Sequence, residues 1–146
     1  MNKSEILQII HNKLSEKIEK LERLIIETRS ANNETKSSMG DKYETSREMV
    51  QQEINNLQIQ LNENNRAKNS LKLINVNPHQ TIGLGSLIRT DKGLFYIAVS
   101  LGEIIFNENK IFVISTESPL GKILIGKKKG EEFYLNNLNQ KILKIW

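Results

Sequence analysis

The chain contains no cysteine, which excludes disulfides and thiolate metal sites. Aromatic residues are scarce: of the eight present, seven fall from Phe95 to Trp146, and Tyr43 is the exception. A helical rod needs only aliphatic seams, whereas a small β domain fills its core with rings, so this asymmetry predicts two kinds of structure in one chain. No apolar run is long enough to cross a bilayer. The opening MNKSEILQIIHNKLSEK carries a charge every few residues and lacks the apolar centre of a signal peptide, which predicts a soluble, cytoplasmic protein. A strong charge of one sign is missing as well. Residues 1–75 carry 12 Lys and Arg against 11 Asp and Glu, residues 76–146 carry 9 against 6, and the net charge is +4. That mild bias falls short of the dense basic footprint of a nucleic-acid binder.

The machinery of a self-contained enzyme is absent too. No glycine-rich phosphate loop, nucleophile elbow or HExxH pattern occurs. Gly83-Leu84-Gly85 is too short for such a loop and reads as a bend. His11 and His79 are far apart in sequence, with no acid or cysteine at metal spacing, and read as ordinary surface residues.

What is present begins with a heptad-like seam. A helix start is expected at Ser4-Glu5, an oxygen cap with an acid in the first turn. From there Leu7, Ile10, Leu14, Ile18, Leu21 and Ile25 recur in steps of three and four on an otherwise charged segment. A second seam runs through Val50, Ile54, Leu57, Leu61, Asn64, Lys68 and Leu71, with Asn64 and Lys68 as polar breaks that set register. Between the seams, Ser30–Gly40 (SANNETKSSMG) has turn composition. If the seams pair antiparallel, partner numbers share a constant sum: Leu7 with Leu71, Leu14 with Asn64 and Leu21 with Leu57 all give 78. Half that sum puts the apex at Met39–Gly40, inside the turn-rich stretch. A monomeric hairpin is therefore favoured over a compact bundle, for which no third apolar helix follows, and over a parallel dimer, which would leave the loop in mid-rod.

Pro78 ends the rod, and Asn75–Gln80 reads as a linker. Short β-like runs follow at Gly85–Arg89, Leu94–Val99, Glu103–Phe106, Lys110–Ser115, Glu132–Leu135 and Gln140–Ile145, separated by turns at Thr90–Gly93, Asn107–Asn109 and Asn136–Asn139. Ser118–Leu124 is expected to form a short helix over the sheet. The predicted fold is α+β: an antiparallel coiled-coil hairpin over 1–75, with its tip near 37–44, and a small antiparallel β domain over 76–146.

Two segments carry chemistry. In Met39–Glu48 (MGDKYETSRE), Asp41 and Glu44 stand one turn apart at the start of the second helix, on one face. Acids there offset the helix dipole, and that alone explains them. They also suit a shared Mg²⁺, which takes one or two protein carboxylates and fills its remaining positions from elsewhere, so such a tip completes a metal site belonging to another molecule. Lys127-Lys128-Lys129, between Gly126 and Gly130, reads as a solvated turn or as a contact for phosphate or acidic protein.

The run from Ser118 through Pro119, Gly121, Lys122, Leu124, Gly126, Lys127 and Gly130 to Glu132 resembles the C-terminal signature of Gre-type bacterial transcription elongation factors, and Ile111–Ser115 and the last strand match in type and spacing. The resemblance covers nearly the whole chain and implies an FKBP-like C-terminal domain docking on RNA polymerase. It further implies a hairpin that enters the secondary channel and brings tip acids to the polymerase's catalytic Mg²⁺, provoking cleavage of backtracked RNA. Asp41 and Glu44 take that role, with Tyr43 and Arg47 positioning the tip or touching nascent RNA, and Ser118, Pro119, Lys122 and Lys127 at the docking surface. The factor is then an accessory, not an enzyme, with no cofactor of its own and no metal bound by the isolated protein.

The tip fits the family pattern in two registers. Gly40-Asp41-x-x-Glu44 fits its first half, whereas Tyr43-x-x-x-Arg47-Glu48 fits its second half and would move the acid positions onto Lys36 and Met39. Two rival functions follow: a non-cleaving regulator that occupies the channel, and a coiled-coil adaptor for other proteins.

Overall fold

A computed structural model describes the backbone of residues 1–34 and 40–146, and the side-chain surroundings of residues 1–31 and 46–146. The protein is α+β. Helix α1 spans Lys3–Glu34 and α2 spans Gly40–Ser70, followed by a 3-10 turn at Leu71–Leu73. Neither long helix has an internal proline, and the only glycine is Gly40 at the start of α2, so nothing breaks the backbone ladder. The amide of Glu5 donates to Asn2 Oδ1 at 3.2 Å, so Asn2 fills the capping place expected of Ser4. Outward faces carry glutamine–asparagine pairs one turn apart, Gln8 with Asn12, Gln51 with Asn55 and Gln58 with Asn62. Of the turn expected over Ser30–Gly40, with its apex at Met39–Gly40, residues 35–39 lie outside the described residues. Helix α1 continues through Glu34, because Ala31 and Glu34 favour helix and tolerate the intervening asparagines.

The chain forms two compact units. Lys13–Lys68 is one. Its core is a single apolar cluster drawn from both helices, with Ile18, Leu21 and Ile25 beside Ile54 and Leu61, and with Val50 and Leu57 packed against it. Of the predicted pair Leu21 with Leu57, Leu21 is in the cluster and Leu57 packs against it. Asn64 and Lys68, the polar breaks, are half-buried.

The other unit joins Met1–Asn12 to Asn69–Trp146. In the first turns of α1 it is Ile6 and Ile10, both fully buried, that face inward, whereas Leu7 of the predicted seam is only half-buried. Six strands follow: β1 Leu87–Thr90, β2 Gly93–Ala98, β3 Gly102–Phe106, β4 Asn109–Ser115, β5 Glu132–Leu135 and β6 Leu138–Ile145, with the short helix α3 at Pro119–Leu124. They form one sheet in the order β3-β4-β2-β1-β6-β5. The hairpin loops Asn107-Glu108 and Asn136-Asn137 place both residues at positive φ, between 49° and 66°, which matches strand twist and suits asparagine.

The sheet departs from the expected all-antiparallel pattern. Strand β4 lies parallel to β2, pairing Leu94 with Ile111 and Ala98 with Ser115, while the other four pairings are antiparallel. The three residues 99–101 carry the chain from β2 past one strand position to β3. At about 4.8 Å between strands that crossing spans about 10 Å, within reach of three extended residues. The hairpin partner β4 then fills the gap beside β2. Helix α3 covers one face, where Ile82, Ile88, Ile97, Leu124, Phe133 and Ile142 form the core.

Candidate functional site

Most of the Ser118–Glu132 signature serves chain geometry. The Ser118 hydroxyl donates to Ser115 O at 2.8 Å and accepts from the Gly121 amide at 2.9 Å, capping α3, and Pro119 follows at the first helical position. Gly121 is buried, and a Cβ there would sit 2.1 Å from Ser115 O, so only glycine fits. Gly126 and Gly130 hold φ of +86° and +91° at either end of the lysine run. Between them the backbone is tied down on both sides. The Gly126 amide donates to Ile82 O, the Ile82 amide to Lys127 O, and the Gly130 amide to Ile142 O. A Glu131 carboxylate oxygen accepts from the Lys128 amide at 2.5 Å and closes the turn.

Of the residues expected at a docking surface, Ser118 and Pro119 thus begin α3, Lys122 is exposed on its last turn, and Lys127 is half-buried at the start of the lysine turn. All four lie within one stretch of ten residues, and three have a structural duty of their own: Ser118 and Pro119 in the cap, Lys127 through its main chain.

Position 40 opens α2, so positions 41 and 44 are among its first five residues, but the side chains of Asp41, Tyr43 and Glu44 lie outside the described residues. Arg47 is half-buried on α2. Among the described residues, no group of three or more His, Asp or Glu is placed to hold a metal ion, and no helix is long and apolar enough to cross a membrane.

A polar network that sequence reading missed lies in the β-sheet unit. Lys3 is only 5% exposed, and its ammonium donates to the main-chain oxygens of Asn77 at 2.8 Å and Trp146 at 3.0 Å. Burial lowers the Lys3 pKa below its ordinary 10.5. His79, read as a surface residue, is half-buried: Nδ1 lies 2.5 Å from Ser86 Oγ, and Nε2 lies 3.4 Å from Asn75 Oδ1. Ser86 is fully buried, and its hydroxyl also accepts from the Gly83 amide at 2.9 Å, while Asn75 Oδ1 can only accept, so its contact with Nε2 requires a proton there. The Nε2–H tautomer follows. Burial first, and the Lys3 charge second, lower the His79 pKa below 6.5. Nothing local announces this network, since its longest bonds link residues 74 and 143 positions apart.

No protein-family model matches the chain, and no curated protein matches it. Solved structures similar to it include GreA factor homolog 1 (Gfh1) of Thermus thermophilus, 16% identical, covering 93% of this chain and 94% of that one at a TM-score of 0.37. A structure of the transcription factor Gfh1 is 16% identical over 92% of each chain at 0.36, and Thermus aquaticus Gfh1 is 17% identical over 92% of each chain at 0.36.

Proposed function

We propose that this protein is an RNA polymerase-binding transcription factor of the Gre type, built as an antiparallel coiled-coil hairpin and an FKBP-like domain. The observation that carries the reading is the Ser118–Glu132 signature: its glycines, serine cap and closing glutamate each meet a backbone requirement of one compact turn-and-helix unit. A run that resembles the family signature and meets a backbone requirement at each of these positions supports the reading. The shared apolar cluster of α1 and α2 supports the hairpin.

In this reading the hairpin tip enters the secondary channel of the polymerase. Asp41 and Glu44, among the first five residues of α2, supply carboxylate oxygens to a Mg²⁺ that the polymerase holds. Such a metal would supply the Lewis acidity for attack of water on the backtracked RNA, and the chain's own contribution is charge and position rather than a complete active site. Tyr43 and Arg47 steady the tip or meet the nascent RNA, while Ser118, Pro119, Lys122 and Lys127 lie at the docking face. The protein acts as a monomer in the cytoplasm, has no cofactor of its own and no membrane partner.

A second reading has its own observation. The register Tyr43-x-x-x-Arg47-Glu48 moves the acid positions onto Lys36 and Met39, which cannot ligate Mg²⁺ as carboxylates do. A factor of that kind occupies the channel and slows transcription without cleavage. The double substitution Asp41→Ala, Glu44→Ala separates the two. Polymerase co-purification is expected to survive, with folding stability changed by no more than about 1 kcal/mol. Cleavage of RNA in a stalled complex is expected to fall by orders of magnitude, because ligands used only in the reaction are lost. Wild-type protein that slows transcription without cleavage establishes the second reading, and failure to bind polymerase at all refutes both.

A further inference from the structure

Within the β-sheet unit, two lysines from separate segments line one cleft with no carboxylate side chain among its lining residues. A cleft of about 290 Å³ is lined by His79, Gln80, Lys129, Lys144 and Ile145. Each contributor has a fixed backbone. Lys129 sits in the turn pinned by the Gly130 amide to Ile142 O, Lys144 pairs with Arg89 across β6 and β1, and His79 is tied to Ser86. Among the described residues, neither lysine is within ion-pair distance of an acid. Glu131, close by in sequence, has a carboxylate oxygen engaged by the Lys128 amide. Burial, and secondarily the positive charge of Lys3 on α1, hold the His79 pKa below its ordinary 6.5. Two ammonium groups lining one cleft favour an anion between them.

We propose that this cleft binds a phosphate group, carried by a nucleotide or by a polynucleotide strand, with Lys129 and Lys144 as its ionic partners and Gln80 and His79 as hydrogen-bond donors. Two ammonium groups offer six N–H donors and two charges, which suits a phosphate better than the single charge of a carboxylate. His79 Nδ1 is committed to Ser86, whereas Nε2, only loosely engaged by Asn75 at 3.4 Å, has its proton to offer. The cleft holds the volume of about ten waters, room for a phosphate and its sugar but not for a duplex. The proposal is independent of polymerase binding.

The chain's single tryptophan supplies the probe. Lys144 Nζ lies 4.6 Å from the Trp146 ring centroid, so an anion that draws Lys144 away alters the tryptophan emission. The full chain is titrated with inorganic phosphate, with AMP and with a short single-stranded RNA, each against chloride at equal ionic strength. Saturable changes that chloride does not reproduce, weakened about tenfold or more in Lys129→Gln with unchanged circular dichroism, are expected. Lys144→Gln is read instead by amide chemical shifts at residues 79, 80 and 129, which should no longer move with phosphate. RNA binding far tighter than AMP, with a salt slope above one, assigns the phosphate to a strand, and equal affinities assign it to a free nucleotide. Absence of saturation with all three ligands, an identical response to chloride, an undiminished response in Lys129→Gln, or displacement of phosphate by a poly-glutamate peptide at lower concentration overturns the proposal.

Discussion

Two residues show how much rests on single atoms. Gly121 lies where α3 turns back against the end of β4, and no side chain can enter the 2.1 Å gap to Ser115 O. Gly121→Ala must therefore displace the Ser118 cap or the β4 end, and we expect a loss of about 3 kcal/mol or more in urea unfolding, at the upper end of overpacking costs. A cost under about 1 kcal/mol would mean that the segment yields easily. His79 gives a pH signature. Its folded-state pKa is depressed below 6.5, so in the window beneath that value the unfolded chain binds more protons than the folded one. The penalty for charging the ring is fully present below the folded-state pKa and is relieved as pH rises towards 6.5. Unfolding midpoints should rise with pH across that window more steeply in the wild type than in His79→Gln. Equal slopes would show that the ring is as well solvated folded as unfolded.

At the scale of elements, the long helices and the strands rest on different supports. Among the described residues, much of α1 and α2 is polar and exposed, so the Lys13–Lys68 unit depends on a few apolar positions. Ile54 is 4% exposed in that cluster. Ile54→Ala should cost about 3 kcal/mol, whereas Ile59→Ala, at 55% exposure on the same helix, should cost less than about 1 kcal/mol, both read from thermal or urea melts. Comparable effects would remove the seam as the source of stability. Steps of three and four along the sequence were enough to identify this seam, because a helix maps that spacing onto one face. The same reasoning failed at Leu7. There, within the first twelve residues that belong to the β-sheet unit, the inward face becomes that of Ile6 and Ile10.

For the whole molecule, the division into units makes an unusual demand, since the first twelve residues belong with the last 78 rather than with the rest of α1. A fragment of residues 76–146 lacks Lys3, which bonds Asn77 and Trp146, and lacks the buried Ile6 and Ile10. A chain in which a flexible glycine–serine linker replaces 13–68 keeps all of these. We expect the linked chain to unfold cooperatively and the bare 76–146 fragment to be destabilised by several kcal/mol, the sum of two buried isoleucines and an anchored lysine. Equal stability of the two would show that residues 1–12 contribute nothing to the fold of the sheet.

The sequence by itself determined the elements. Helix periodicity, the turns at Thr90–Gly93, Asn107–Asn109 and Asn136–Asn139, the short helix at Ser118–Leu124 and six strands within two residues of their ends all follow from local spacing, caps and turn-forming asparagines and glycines. The glycine and serine positions of the Ser118–Glu132 signature were legible for the same reason, being constraints of backbone on its near neighbours. Only the tertiary structure decided that β4 runs parallel to β2, that the chain divides after Asn12 and before Asn69, and that Lys3, His79 and Ser86 form one network. Those outcomes join residues many positions apart, where the free energy comes from sheet pairing and burial. No periodicity records which distant strand or side chain will supply the partner.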